Sequence, residues 1–185
     1  MSWVAGKAGA SGPSRAVWPV TRSAAAMAAG LAGLAGLARF GFTARGLVTS
    51  CLLAVLGALA VIDFREHVVP VRVVLPASAV LLALQLALFP DRALEWVLAS
   101  VLAFAGLAAL WLLRHDGLGL ADTTLGLLLG AGLGSDVALA LFFGFLAIWP
   151  GAVYLLLRDG VEARKASVPL APAFAIGAAP VVFAT

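Results

Sequence analysis

Charge is what this chain is shortest of. Only 11% of its 185 residues are Asp, Glu, Lys or Arg, against roughly a quarter in a soluble domain. That scarcity, with 63% hydrophobic residues and a mean hydropathy of +1.10, excludes an ordinary water-soluble fold. Cysteine is nearly absent too. Cys51 is the single one, which rules out an internal disulfide or a cysteine zinc cluster. It reads as a small buried or lipid-facing hydrophobe. Two histidines make no metal-ligand pattern, no cofactor is expected, and no Ser/His/Asp set stands out. The formal charge is +3, but the basic residues stand singly at the ends of apolar runs. There they set membrane topology, and no nucleic-acid partner is expected.

What the chain does have is apolar residues in unbroken blocks. Seven segments stand out, at 23–41, 47–63, 71–90, 94–113, 118–134, 137–157 and 168–184. Each is close to the roughly 17–25 residues that cross a bilayer as a helix. Blocks of this kind, without alternation, fit helices in lipid and not the strands of a barrel. The predicted fold is all-α, a polytopic membrane bundle of about 6–7 transmembrane helices. Residues 1–22, rich in Gly, Ser and Pro, are expected to be a flexible cytoplasmic tail, and 23–185 the membrane domain. No clear cleavage site follows the first apolar run, so it is read as a retained helix.

With seven crossings, the N-terminal side carries Lys7, Arg15, Arg22, Arg65, Arg72, Arg114, Arg158, Arg164 and Lys165. The other side carries Arg39, Arg45 and Arg92. Positive charge marks the cytoplasm, so the N-terminus is predicted inside.

Two acids interrupt the apolar pattern. Asp63 closes the second run and Asp122 opens the fifth. A carboxylate at membrane depth costs about 2.5–3.5 kcal/mol on insertion scales and faces a cavity with a function by default. The topology puts both at the cytoplasmic edge. Asp122 lies near a helix N-terminus, whose field favours negative charge, and Asp63 at a helix C-terminus, whose field opposes it. Such a contrast separates one carboxylate as base from another as acid. The competing reading is that each simply ends its helix at the water interface. Gly117 and Gly119 give Asp122 a closely approachable backbone. Gly126, Gly130 and Gly134 follow it at four-residue spacing, a face that admits a neighbouring helix. Gly30, Gly33 and Gly36 read as a second close contact. Pro70 is expected to open the third span. Arg65, Glu66 and Arg72 read as interfacial charges. His67, His115, Asp116, Asp136, Asp159 and Glu162 read as solvated loop residues, and Trp96, Trp111 and Trp149 as interface anchors.

Around the two acids the chain resembles type IV prepilin peptidases, the membrane aspartyl proteases of the GxGD class. Their first motif, an apolar helix ending in Asp, a basic turn and Ile-Pro, is matched by Asp63-Phe-Arg65-Glu-His-Val-Val-Pro70, with Leu75-Pro76 following. The second, Gly-Asp-x-Lys-Leu after a glycine-rich turn, is matched by Gly117-Leu-Gly119-Leu-Ala121-Asp122-Thr-Thr124-Leu125. The third is matched by Val168-Pro169-Leu-Ala171-Pro172-Ala-Phe174-Ala-Ile-Gly177. Three departures accompany the match: Ala121 stands for the family's glycine, Thr124 for its lysine and Val71 for the polar residue often following Ile-Pro.

The resemblance implies an aspartic-type endopeptidase with Asp63 and Asp122 as the catalytic pair. It implies a bacterial inner-membrane location and a type IV prepilin or pseudopilin substrate, processed for pilus assembly or protein secretion. The substrate's apolar helix is expected to lie on the glycine-lined face. The chain resembles the short, peptidase-only form without the family's four-cysteine domain. Two other readings compete: a catalytically degenerate membrane scaffold, motivated by Ala121 and Thr124, and a proton- or cation-coupled transporter using the same carboxylates.

Overall fold

The computed structural model describes residues 17–113, 119–159 and 170–184. Among these residues seven α-helices follow one another: α1 (Val17–Phe40), α2 (Ala44–Glu66), α3 (Val71–Leu88), α4 (Ala93–Leu113), α5 (Leu120–Leu133), α6 (Val137–Asp159) and α7 (Leu170–Ala184). No strand occurs among the described residues. Lipid offers no partner to a free N–H or C=O, so long apolar runs resolve into helices that satisfy their own backbone. Among the described residues five stretches are long and apolar enough to cross a membrane, the last covering α5, a short turn and most of α6. α7 is a shorter apolar helix of 15 residues. The architecture is an all-α bundle of apolar helices, as the segment pattern predicts.

Local chemistry fixes the ends. Thr43 caps α2, its hydroxyl oxygen accepting the Gly46 N–H at 3.0 Å. At the other end of α2, His67 adopts φ +50° and donates its N–H to the Asp63 carbonyl. Its side chain is exposed. Pro70 is the cap residue of α3, one position before the helix. Gly134 ends α5 at φ +58°, a conformation that L side chains adopt only with strain.

α1 packs on α2, α4 on α5, and α6 on α7, while α2 meets α7 and α5 meets α3 across the middle. The seams are made of small residues, which let helix backbones approach without a hydrophobic drive from water. A Cβ on Gly126 would stand 2.7 Å from the Ala103 carbonyl oxygen, and one on Gly130 would strike the Ser100 backbone. Gly33 and Gly36 similarly face Ala54 and Ser50 of α2, whereas Gly30 has nothing within 4 Å. The buried serines Ser50, Ser78 and Ser100 each donate their hydroxyl to the carbonyl four residues back, at 2.6–2.8 Å. The three hydroxyls are thereby paired within their own helices.

Two expectations change here. The glycine-lined face of α5 is already filled by α4, so it is not open to a substrate helix. Trp96 is not an interface anchor: it is only 8% exposed, lying beneath the Arg92 guanidinium at 5.4 Å. Trp149 is 68% exposed on α6, and Trp111 packs partly buried against the core. Cys51 is exposed on α2, in keeping with a lipid-facing hydrophobe.

The α4–α5 seam gives a clear test. Gly130→Ala is expected to destabilise the protein in detergent by about 1–3 kcal/mol, because the added methyl meets backbone that cannot move aside. Gly30→Ala should leave thermal unfolding close to that of the unaltered protein, since the new methyl enters open space.

Candidate active site

Asp63 sits in the last full turn of α2 and is 4% exposed. Its Oδ2 accepts the backbone N–H of Ala171 at 2.8 Å, across 108 residues of chain. Ala171 is the second residue of α7, so its N–H is among the first-turn donors that have no partner within their own helix. The carboxylate of one helix thus caps another. This reverses the electrostatic expectation for Asp63: the C-terminal field of α2 is opposed by the N-terminal field of α7. Asp63 does lie at the C-terminal end of α2 and Asp122 at the start of α5, but the first turn of α7 adds a field at Asp63 that helix ends read singly do not include. The second carboxylate oxygen of Asp63 makes no hydrogen bond among the described residues and remains for another partner.

Asp122 is the third residue of α5 and half-buried. Its Oδ2 accepts the Gly119 N–H at 3.0 Å, and its own N–H donates to the Gly119 carbonyl. That is the acidic half of a capping box, since Gly119 has no side chain to return the bond. A Cβ on Gly119 would stand 2.9 Å from the same carboxylate oxygen, so a side chain there would make the carboxylate shift. Asp63 in the last turn of α2 and Asp122 in the first turn of α5 lie on helices that contact each other. α2, α5 and α7 therefore present the two carboxylates and the first turn of α7 at one end of the bundle.

The chain's departures from the GxGD pattern are visible beside the pair. Ala121 is partly buried against the core. Thr124 is also buried, and its hydroxyl donates to the Ala121 carbonyl of its own helix at 2.6 Å. It brings no positive charge to Asp122. Among the described residues no group of three or more His, Cys, Asp or Glu side chains comes together. Gly117, His115, Asp116, Glu162, Val168 and Pro169 lie outside the described residues.

The model of the type IV leader peptidase family matches residues 50–156. The chain belongs to that family. Both Asp63 and Asp122 fall inside the matched stretch, which runs from α2 into α6. No curated protein and no solved structure matches the chain. A leader peptidase built on apolar helices is a multi-pass membrane protein, and family membership makes it a peptidase.

The residue that single-sequence reading did not single out is Ala171. It acts through its backbone, which no side-chain pattern reveals. The only signal was its place in the third resemblance block, whose Phe174 and Gly177 lock α7 onto α6. Phe174 meets Phe145 edge-on at 5.4 Å, and Gly177 abuts Ala140 and Gly144.

Asp63→Ala should therefore cost stability as well as any activity. It leaves the Ala171 N–H buried and unpaired, worth about 1–3 kcal/mol. Asp63→Asn keeps an acceptor oxygen, and its thermal unfolding midpoint should lie between that of Asp63→Ala and the unaltered protein.

Proposed function

We propose that the protein is an aspartic-type endopeptidase that removes the leader of type IV prepilin-like or pseudopilin substrates at the cytoplasmic edge of a bacterial inner membrane. The observation that carries this reading is the placement of Asp63 in the last turn of α2 and Asp122 in the first turn of α5, two helices in contact, both inside the stretch matched by the leader peptidase family. Family membership supports peptide hydrolysis as the reaction.

A water held between the two carboxyl groups attacks the scissile carbonyl carbon. One carboxylate takes the proton released from the water. The other, protonated, gives its proton to the carbonyl oxygen. Collapse of the tetrahedral intermediate then breaks the C–N bond, and a proton passes to the departing amine. Because neighbouring carboxyl groups share protons, the acid and base roles belong to the pair. The second oxygen of Asp63 supports this role, since among the described residues it makes no hydrogen bond while the other accepts from Ala171.

A substrate with a basic leader ahead of an apolar helix needs an apolar surface beside the acids. An open cleft of about 370 Å³ lies between α1, α2 and α7, lined by Ala24, Ala60, Val61, Phe64, Arg65 and Pro172. Its α2 residues flank Asp63 in sequence and Pro172 follows Ala171, which supports it as the bed for the substrate helix.

A second reading is favoured by Ala121 and Thr124: a scaffold of the same family that has lost catalysis. One experiment separates the two. Reconstituted with a prepilin peptide, the unaltered chain should cleave, and Asp63→Asn and Asp122→Asn should each lose roughly 10²–10⁴-fold in rate. Cleavage that persists in either variant would remove the pair as the catalyst. Cleavage absent from the unaltered chain and gained in an Ala121→Gly/Thr124→Lys variant would establish the scaffold reading.

A further inference from the structure

At the opposite end of the bundle from the aspartates, a second cavity of about 260 Å³ opens where α2 and α4 begin and α3, α5 and α7 end. Its volume is far above the roughly 10–15 Å³ that a single water needs. Its polar lining includes Arg45, Arg92, Trp96 and Asp136.

These groups are left in an unusual state. Arg92 is fixed: it makes two 2.7 Å hydrogen bonds to Glu95, which also accepts from the Ser135 hydroxyl at 2.9 Å. That leaves further guanidinium N–H groups of Arg92 unused. Arg45 and Asp136 both line the cavity, yet among the described residues neither forms an ion pair with the other or with anything else. The indole N–H of Trp96 is buried with no acceptor, a donor whose desolvation is uncompensated. A cavity offering unspent guanidinium and indole donors, with one unspent carboxylate, matches a ligand that carries a phosphate and an ammonium together.

The remaining walls hold Thr49 and Gln85 together with apolar residues, among them Phe40, Phe89, Leu133 and Val182. Leu88, Leu94 and Phe183, at the same helix ends, are exposed large hydrophobes. We propose that this cavity holds the ammonium–phosphate headgroup of a membrane phospholipid, with the phosphate on Arg45, Arg92 and Trp96, the ammonium on Asp136, and the acyl chains on the neighbouring apolar helix surface. Charge-assisted hydrogen bonds to both ends of the headgroup give the selectivity.

The site lies apart from Asp63 and Asp122, and its test reads lipid and not cleavage. The purified full chain in detergent is offered equimolar phosphatidylethanolamine, phosphatidylcholine and phosphatidylglycerol, and retained lipid is read by native mass spectrometry. One phosphatidylethanolamine per chain should be retained, about five- to tenfold over phosphatidylcholine, whose quaternary ammonium has no N–H for Asp136. Arg45→Gln should lower retention of all three lipids. Asp136→Asn should erase the preference for phosphatidylethanolamine over phosphatidylcholine. Trp96→Phe keeps the ring and removes the donor, and should weaken retention even if the charge variants fold poorly. Any of four results would overturn the proposal: no one-to-one lipid, retention unchanged in all three variants, stronger retention of phosphatidylglycerol, or displacement by equimolar soluble phosphoethanolamine.

Discussion

Inside a membrane-embedded bundle an unpaired backbone N–H has no water to turn to, and the hydrogen bond from Ala171 to Asp63 answers that need at 2.8 Å. The first turn of α7 needs an acceptor, and the carboxylate of α2 that supplies one is the group proposed to act in catalysis. The bond spans 108 residues, so the third sequence block is tied to the first by one backbone donor. A buried carboxylate, costly by itself, becomes tolerable when it accepts hydrogen bonds from a helix N-terminus. One oxygen of Asp63 meets a requirement of folding, and in the proposed mechanism the other meets the requirement of chemistry.

The second aspartate depends on small residues. Asp122 opens α5, and α5 is held against α4 by Gly126 and Gly130, where no side chain fits between the backbones. Gly119 leaves room for the Asp122 carboxylate to fold back on its own helix start. The glycines around Asp122 therefore serve position more than mobility. They set the height and rotation of α5, and hence where its carboxylate stands relative to Asp63. The far end of the bundle is built differently, around Arg92, Glu95 and Ser135, which tie the start of α4 to the turn before α6.

Much of this was legible in the sequence, because in lipid the link from composition to structure is short. Unbroken apolar runs have few alternatives to helix, and the seven segments became seven helices. Asp63 and Asp122 were conspicuous because charge is so rare around them. Other features depended on three-dimensional neighbours. The start of α7 acts on Asp63 against the field of its own helix. The glycine face of α5 was committed to α4, which periodicity cannot distinguish from a face held open for substrate. Trp96 stood at a helix start like an anchor, but Gly134 and Arg92 enclose it, the added Cβ at Gly134 falling within 3 Å of its ring.

The central claim is that the two carboxylates act as one unit. The most direct measurement compares peptide cleavage by Asp63→Asn, Asp122→Asn and the double variant under identical conditions. Groups that share one proton and one water are strongly non-additive, so the double variant should be no slower than the worse of the two single ones. Losses that multiply, each aspartate contributing its own factor, would contradict the account.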